Sequence, residues 1–409
     1  MTATIVTVFA LVYLGMILGG LPFLQLDRTG VALLGAIALI GLDAVSLQDA
    51  VAAVHLPTVI LLFAFMVVSA QMRLGGFYSW ITRGMAALPV SPPRLLGLLI
   101  LLAGALSAVF SNDIVCLAMA PVLAEACVRR RLNPVPFLLG LACAANIGSA
   151  ATLIGNPQNI LIGQTLQLSF SGYLLQASVP VLLGLAACWA IIVWQSRDNW
   201  VGDAQQAPLP EQRSSDEQPL DRWQTIKGLA VASALLGLFL FSPLPHEQLA
   251  LAGAGLLLMS RKLHSARMLG LVDWEVLVLF AGLFIVNHAL QGTGLPAEAV
   301  QWLAVQGVQL SEPWTLFGTT FVLSNIISNV PAVMLLLPVA QHELAGSMLA
   351  LVSTLAGNLL IVGSIANILV VDAAARHGVR IDWRRHARTG VPVTLATLLI
   401  CAAIFALRL

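Results

Sequence analysis

The heptapeptide LSAVFSN at Leu106–Asn112 returns 217 residues later as LSNIISN at Leu323–Asn329. A proline follows each Ser-Asn pair at the same distance, Pro121 after Ser111 and Pro338 after Ser328. Upstream, Val59, Leu62, Phe63 and Ala64 recur in register as Val276, Leu279, Phe280 and Ala281. Each polar pair lies in apolar surroundings, where serine, asparagine and a nearby proline disfavour a regular helix. One such interruption per half predicts two repeats whose interruptions meet around a common site.

The surroundings decide where that site lies. Of 409 residues, 59% are hydrophobic and 10% charged, and a bilayer span needs ~20 apolar residues. Ile5–Leu24, Leu56–Met72, Gly172–Trp194, Lys227–Phe241, Trp274–Ala289 and Val391–Leu407 meet or approach that length. The expectation is an all-α polytopic protein whose main partner is the lipid bilayer. A net charge of +1 gives no sign of a nucleic-acid partner. Cys116, Cys127, Cys143, Cys188 and Cys401 all fall in apolar segments without metal-ligand spacing, so they read as small packing residues. The N-terminus lacks the basic start of a cleavable signal peptide, so the first apolar segment is expected to stay as a helix.

Ser196–Gln224 is polar, charged and proline-bearing, and predicts a cytoplasmic linker over 196–226. It divides an N-terminal half, 1–195, from a C-terminal half, 227–409. Two re-entrant hairpins follow from the repeated motif, one over 94–128 with its tip at Ser111-Asn112-Asp113. The other covers 313–341 with its tip at Ser328-Asn329. Arg94 and Arg129–Arg131 flank the first, whereas Glu312, His342 and Glu343 flank the second. That contrast is expected if the repeats are inverted. Threading about ten transmembrane helices plus the two hairpins sorts 19 of the 20 Lys+Arg residues to one side and leaves only Arg408. The positive-inside rule makes that side cytoplasmic and puts both termini outside. Gln248–Ser260 is the shortest crossing in this scheme.

A second matched element follows each hairpin. GSAATLIGNPQNIL at Gly148–Leu161 pairs with AGNLLIVGSIANIL at Ala356–Leu369, aligning Gly155 with Gly363 and Asn159 with Asn367. Gly-Asn-Pro cannot continue a regular helix. Broken backbone at membrane depth is tolerated only where protein buries it or it lines a wet cavity. A single Gly, Ser or Asn in a span ordinarily serves packing or interhelical hydrogen bonding. Four matched elements together predict a substrate and ion site near the midplane, where half-helix N-termini suit an anion and freed carbonyls suit a cation. Asp113 is the most informative ionisable group, a cation ligand or proton carrier, because a carboxylate at membrane depth needs a cavity or a partner. Its counterpart in the second repeat is Val330, so the site is asymmetric. Asp372 and His288 are expected at membrane ends or packed interfaces, and Glu125 is expected to pair with Arg129 along a helix surface.

At these residues the chain resembles the ion transporter superfamily, which includes arsenite-efflux subunits, divalent anion/sodium symporters, citrate transporters and certain sodium/proton antiporters. The resemblance rests on SNDIVCLAMAP, NIGSAATLIGNPQNIL, SNVPAVMLLLP and GNLLIVGSIANIL, and it covers nearly the whole chain. It implies inverted repeats with an elevator-like motion, a homodimer, and a multi-pass protein of the bacterial cytoplasmic membrane. By that resemblance Ser111, Asn112, Ser328 and Asn329 hold substrate and coupling ion, with sodium at Asn112 and Asn329. Gly155, Asn156, Asn159, Gly363 and Asn367 complete the ion sites. The carboxylate symporters carry Ser-Asn-Thr at both tips, so Asp113 and Val330 depart from them and the Asn-Asp pair looks closer to the arsenite branch. The expected function is secondary transport of a small inorganic or organic anion or its weak acid, of the arsenite/antimonite or small-carboxylate class, coupled to H+ or Na+. The alternative is a sodium/proton antiporter with Asp113 as the exchanging carboxylate. No cofactor is expected, and an ATP-driven mode needs a partner ATPase subunit because no GxxxxGK[ST] loop is present. No HExxH pair or GxSxG elbow occurs either, so an enzyme is not expected.

Overall fold

The computed structural model describes residues 1–21, 24–201 and 219–409, and among them every regular element is helical. The first half holds α1 (Thr2–Leu18), α2 (Arg28–Gly41), α3 (Leu47–Ala53), α4 (Leu56–Leu74), α5 (Phe77–Ala86), α6 (Pro92–Val109), α7 (Asn112–Arg129), α8 (Pro134–Ser149), α9 (Pro157–Thr165) and α10 (Phe170–Ser196). The second half repeats that order. It holds α11 (Arg222–Phe241), α12 (His246–Leu258), α13 (Ser265–Leu269), α14 (Trp274–Gln291), α15 (Leu295–Val305), α16 (Pro313–Ile327), α17 (Asn329–Leu336), α18 (Ala345–Ala356), α19 (Ile365–Arg376) and α20 (Trp383–Ala406).

Apolar segments fold this way because lipid offers no partner to a backbone amide, so each N–H must find a carbonyl in its own helix. The starts are marked in the sequence by short polar residues. Asp27, Ser46, Asn133, Ser169, Asp221, Asp273 and Asp382 each turn a side-chain oxygen onto a first-turn N–H.

Helix pairings recur between the halves. α2 lies along α14 as α12 lies along α4, α6 packs on α8 as α16 does on α18, and α10 packs against α20. Two of these contacts require glycine. A methyl group on Gly148 would stand 2.3 Å from the Cα of Gly104, and one on Gly282 would stand 2.8 Å from the carbonyl carbon of Ala32. Such small residues let helix backbones approach where lipid supplies no hydrophobic drive.

The first hairpin is closed at its base by one side chain. The Arg130 guanidinium donates to the carbonyls of Ala86 at 2.6 Å, Leu88 at 3.1 Å and Val90 at 3.4 Å, in the chain that leads into α6. The start of α6 and the end of α7 therefore share one end of the molecule. Arg130 is a clamp as well as an anchor. In the second hairpin α16 and α17 meet at Ser328, and Pro338 falls in a 3-10 turn, Leu337–Val339. Pro121, at the matched position, stays inside an unbroken α7.

Several boundaries differ from expectation. Among the described residues six helices are long and apolar enough to cross a membrane: α4, α6, α10, α11, α14 and α20. The expected ten crossings are thus not ten full-length helices, and the hairpin arm α6 is itself among the six. The rest of the apolar structure is made of shorter helices, α1, α2, α8 and α18 included. The weakest predicted crossing is α12, with 13 residues. Lys227, in the second turn of α11, donates to the carbonyls of Leu257 and Met259, so α12 ends near where α11 begins. The first apolar segment stops at Leu18, where Gly19 adopts a left-handed φ of 80°. The linker is shorter than 196–226, because Ser196 still belongs to α10 and Asp221 caps α11 from Arg222 onward. Its residues 202–218, Arg213 among them, lie outside the described residues. The polar stretch looked longer in sequence because the first turn of α11 is itself polar.

Candidate functional site

Both predicted interruptions are present, and each is built the same way. α8 ends at Ser149 and α9 begins at Pro157, with the Asn156 side chain accepting from the Asn159 N–H at 2.9 Å. α18 ends at Ala356, a 3-10 turn covers Ile361–Gly363, and Ser364 caps α19 through the Ala366 N–H at 3.2 Å. Asn159 donates to the carbonyls ten and seven residues before it, Ser149 at 3.5 Å and Thr152 at 3.0 Å. Asn367 does the same to Gly357 at 2.8 Å and Leu360 at 3.0 Å. These two asparagines are braces for the broken backbone. The matched glycines serve close approach: a methyl on Gly155 would sit 2.2 Å from the Ser149 carbonyl oxygen, and one on Gly363 would sit 3.0 Å from that of Gly357.

The two breaks are also cross-tied. Asn146 of the first half donates to the Asn367 side-chain oxygen at 3.2 Å, while Thr354 of the second donates to that of Asn159 at 3.3 Å. In return, Ser364 donates to Asn146 at 2.8 Å and Asn156 donates to Thr354 at 3.1 Å. Asn146 and Thr354 hold matched places, each thirteen residues before its half's brace. Sequence reasoning passed over both, and carrying the 208-residue offset upstream was the signal that finds them.

The orientation of this network follows from groups that can only accept. Carbonyls fix the Asn367 amide nitrogen toward Gly357 and Leu360, so its oxygen faces the Asn146 amide nitrogen. The Asn146 oxygen must then receive Ser364 and, at 3.1 Å, the Asn112 amide nitrogen. What remains at the first tip is the Asn112 side-chain oxygen, buried without a partner. The Asn329 side-chain oxygen at the second tip is likewise unpartnered.

Both tips face one cavity of about 840 Å³. Its wall includes Asn112, Asp113, Asn146, Asn156, Gln158, Ser328, Asn329, Val330, Thr354 and Ser364. Its mouth carries Asp27, Arg28, Arg73, Asp273 and Glu275. Arg28 and Arg73, two of the 19 cations that the sequence sorts to one side, both line the cavity. Of the expected site residues, Ser111, Gly155, Asn159 and Asn367 are not on the wall. The Ser111 N–H instead lies 3.5 Å from the Ser69 hydroxyl.

Asp113 is half-buried on the wall, in front of the first turn of α19, where the Ala366 N–H lies. A helix N-terminus favours negative charge. Val330 stands on the same wall. Glu125 and Arg129 pair at 2.5 Å, as their spacing predicts. Asp372 pairs with Arg376 at 2.7 Å on an exposed surface, and His288 is exposed, so neither belongs to the site. Cys116 is fully buried in packing.

Helices broken in pairs around a polar cavity, inside a lipid-facing bundle, define a membrane transporter. The chain belongs to the citrate transporter family, whose signature matches residues 9–356. It is 30% identical over 407 residues to a 46 kDa membrane protein of Mycobacterium leprae, covering 94% of each chain. It is 28% identical over 448 residues to the silicon efflux transporter LSI3 of Oryza sativa subsp. japonica, with 91% of each covered. It is also 30% identical over 362 residues to the inner membrane protein YbiR of Escherichia coli, covering 85% of this chain and 87% of that one. In fold it is similar to the YdaH transporter of Alcanivorax borkumensis, with a TM-score of 0.57 and 14% identity over 99% of this chain and 97% of the other. The family and its relatives are transporters and not enzymes.

Proposed function

We propose that the chain is a secondary transporter of a small, neutral, hydroxylated weak acid of the silicic or arsenous type, coupled to H+ or Na+. One observation carries this reading: at each tip an asparagine side-chain oxygen, that of Asn112 and that of Asn329, is buried without a partner. A buried polar group without a partner costs about 1–3 kcal/mol, so the tips favour a ligand that fills the vacancy. A carboxylate or other oxyanion brings acceptors only. A hydroxy acid brings O–H donors, and a coupling cation satisfies the same oxygens. Charge points the same way, because the wall and mouth carry Asp27, Asp113, Asp273 and Glu275 against Arg28 and Arg73. A free anion meets net repulsion there; a neutral acid does not. The silicon efflux transporter among the relatives supports the same chemical class.

Uptake into proteoliposomes tests this with silicic acid, arsenous acid, citrate, succinate and sodium, each gradient imposed separately. Flux of the neutral acids is expected. Saturable flux of citrate or succinate without either neutral acid would overturn the reading.

Sodium/proton exchange at Asp113 is the second reading, favoured by the proximity of Asp273 to this wall carboxylate. Asp113→Asn separates the two, since an antiporter loses all pH-dependent exchange while carriage of a neutral acid persists.

We further place the protein in a bacterial cytoplasmic membrane, as an inverted-repeat, elevator-type homodimer whose cavity mouth faces the cytoplasm and whose termini lie outside. The basic residues at the mouth, Arg28 and Arg73, support that orientation. Single cysteines near Arg130 are expected to label from the cytoplasm and those near His342 from outside. Both labelling from one face would refute the inversion.

A further inference from the structure

We propose that His386 carries the coupling proton and transmits its charge state to the cavity through the Asn358 peptide. This rests on the transporter reading above and names the coupling ion for the same site.

His386 lies in the first turn of α20 and is 1% exposed. Of the seven histidines it alone is buried. Its Nε2 stands 3.2 Å from the carbonyl oxygen of Asn358, in the broken segment between α18 and α19. A carbonyl only accepts, so the single N–H of a neutral imidazole is on Nε2. Nδ1 then bears a lone pair, and it is buried with no partner. The contact is cut into the helix by Gly390, where a methyl group would stand 2.3 Å from the Asn358 oxygen and 3.0 Å from His386 Nε2.

Asn358 connects this ring to the tips. Its side-chain oxygen accepts from Asn146 at 2.9 Å, and Asn146 in turn accepts from Asn112 at 3.1 Å. One peptide and two amide side chains thus separate a proton-accepting nitrogen from the first tip. Protonation at Nδ1 turns the Nε2–H···O=C contact into a charge-assisted bond, shorter and about twice as strong. That draws the Asn358 peptide toward α20 and shifts the partner of Asn146.

The surroundings suit transient protonation. On its own helix His386 is flanked by Arg384, Arg385 and Arg388. The elements packed on α20 bring Cys143 from α8 and Tyr173 and Cys188 from α10, while α18 and the 3-10 turn Ile361–Gly363 bring no titratable side chain. No carboxylate on those elements stands by to hold an imidazolium in place, and Asp382, which caps the start of α20, turns a carboxyl oxygen onto the Arg385 N–H at 2.7 Å. The neutral ring is the form this conformation keeps, and the proton stays only for part of the cycle.

His386→Gln keeps an N–H donor for the Asn358 carbonyl and removes the proton site. Proteoliposomes carrying native protein are expected to accumulate arsenous acid under an imposed pH gradient, up to about tenfold per pH unit at one proton per substrate. His386→Gln should lose that accumulation, and its flux should vary less than about twofold across the range where histidine titrates. Gradient-driven accumulation by His386→Gln would overturn the proposal. A second arm needs no substrate and no variant: ¹⁵N NMR of imidazole-labelled native protein in nanodiscs, following the one signal shielded from an aqueous paramagnetic agent. It should report the Nε2–H tautomer and change on acidification; an Nδ1–H tautomer or a signal indifferent to pH would overturn the proposal. If native protein fails to move arsenous acid, the substrate reading falls while the NMR arm still decides His386.

Discussion

The two hairpin tips share Ser-Asn and a proline at the same distance, yet only one is relaxed. At the first, Ser111 has an ordinary backbone (φ −55°, ψ 127°), Asn112 is held by Asn146, and α7 runs 18 residues through Pro121. At the second, Ser328 sits at φ 78°, ψ 160°, a region essentially reserved for glycine, and α17 lasts 8 residues before Pro338 turns it into a 3-10 turn. Identical local words therefore do not dictate identical backbone. The first tip has a carboxylate, Asp113, in front of the α19 N-terminus and a base clamped by Arg130. At the second, Val330 offers no hydrogen bond to compensate. Strain at a functional tip is stored by its surroundings, at about 1–3 kcal/mol.

The largest expected effect tests what the tips share. Asn112→Ala and Asn329→Ala should each lower flux at least about tenfold at unchanged membrane insertion, since each removes a site acceptor. Flux at the native level in either variant takes that tip out of the site. Next comes the cross-tie. Asn146→Ala abandons Asn112, Asn358, Asn367 and Ser364 together and should lower unfolding stability by about 3 kcal/mol. Thr354→Val keeps the shape and should cost about 1–2 kcal/mol; equal losses in thermal unfolding would mean that the two matched positions are not specialised. Glycine substitution at the serines should then give opposite signs. Ser328→Gly should stabilise by about 1 kcal/mol through released strain, whereas Ser111→Gly should destabilise by about 0.5–1 kcal/mol through chain entropy. The same sign at both sites would remove the contrast between the tips. The smallest effect is expected at the exposed Glu125–Arg129 pair, where Glu125→Ala should change stability by no more than about 0.5 kcal/mol.

Much of this was legible in the sequence. Gly-Asn-Pro announced the first broken helix because proline forbids continuation there, and the duplicated Ser-Asn located both tips. The cross-tie was hidden, since Asn146 and Thr354 sit inside uninterrupted helical runs and meet partners about two hundred residues away only after folding. Asn159 and Asn367 looked like ligands, but each spends its amide on backbone carbonyls exposed by its own break. Pro121 and Pro338 are equivalent in spacing, and only packing around α7 and α17 decides which one bends its helix. Charge sorting could put Arg28 and Arg73 on one side with the other cations, but that a cavity reaches them is a property of tertiary structure.

α2 and α12, with 14 and 13 residues, measure only about 20 Å each, against a hydrocarbon layer of ~30 Å. Lipid beside such pillars must compress or flood with headgroups, at fractions of a kcal/mol per Å. The transport rate is therefore expected to respond to acyl-chain length in vesicles of otherwise constant composition.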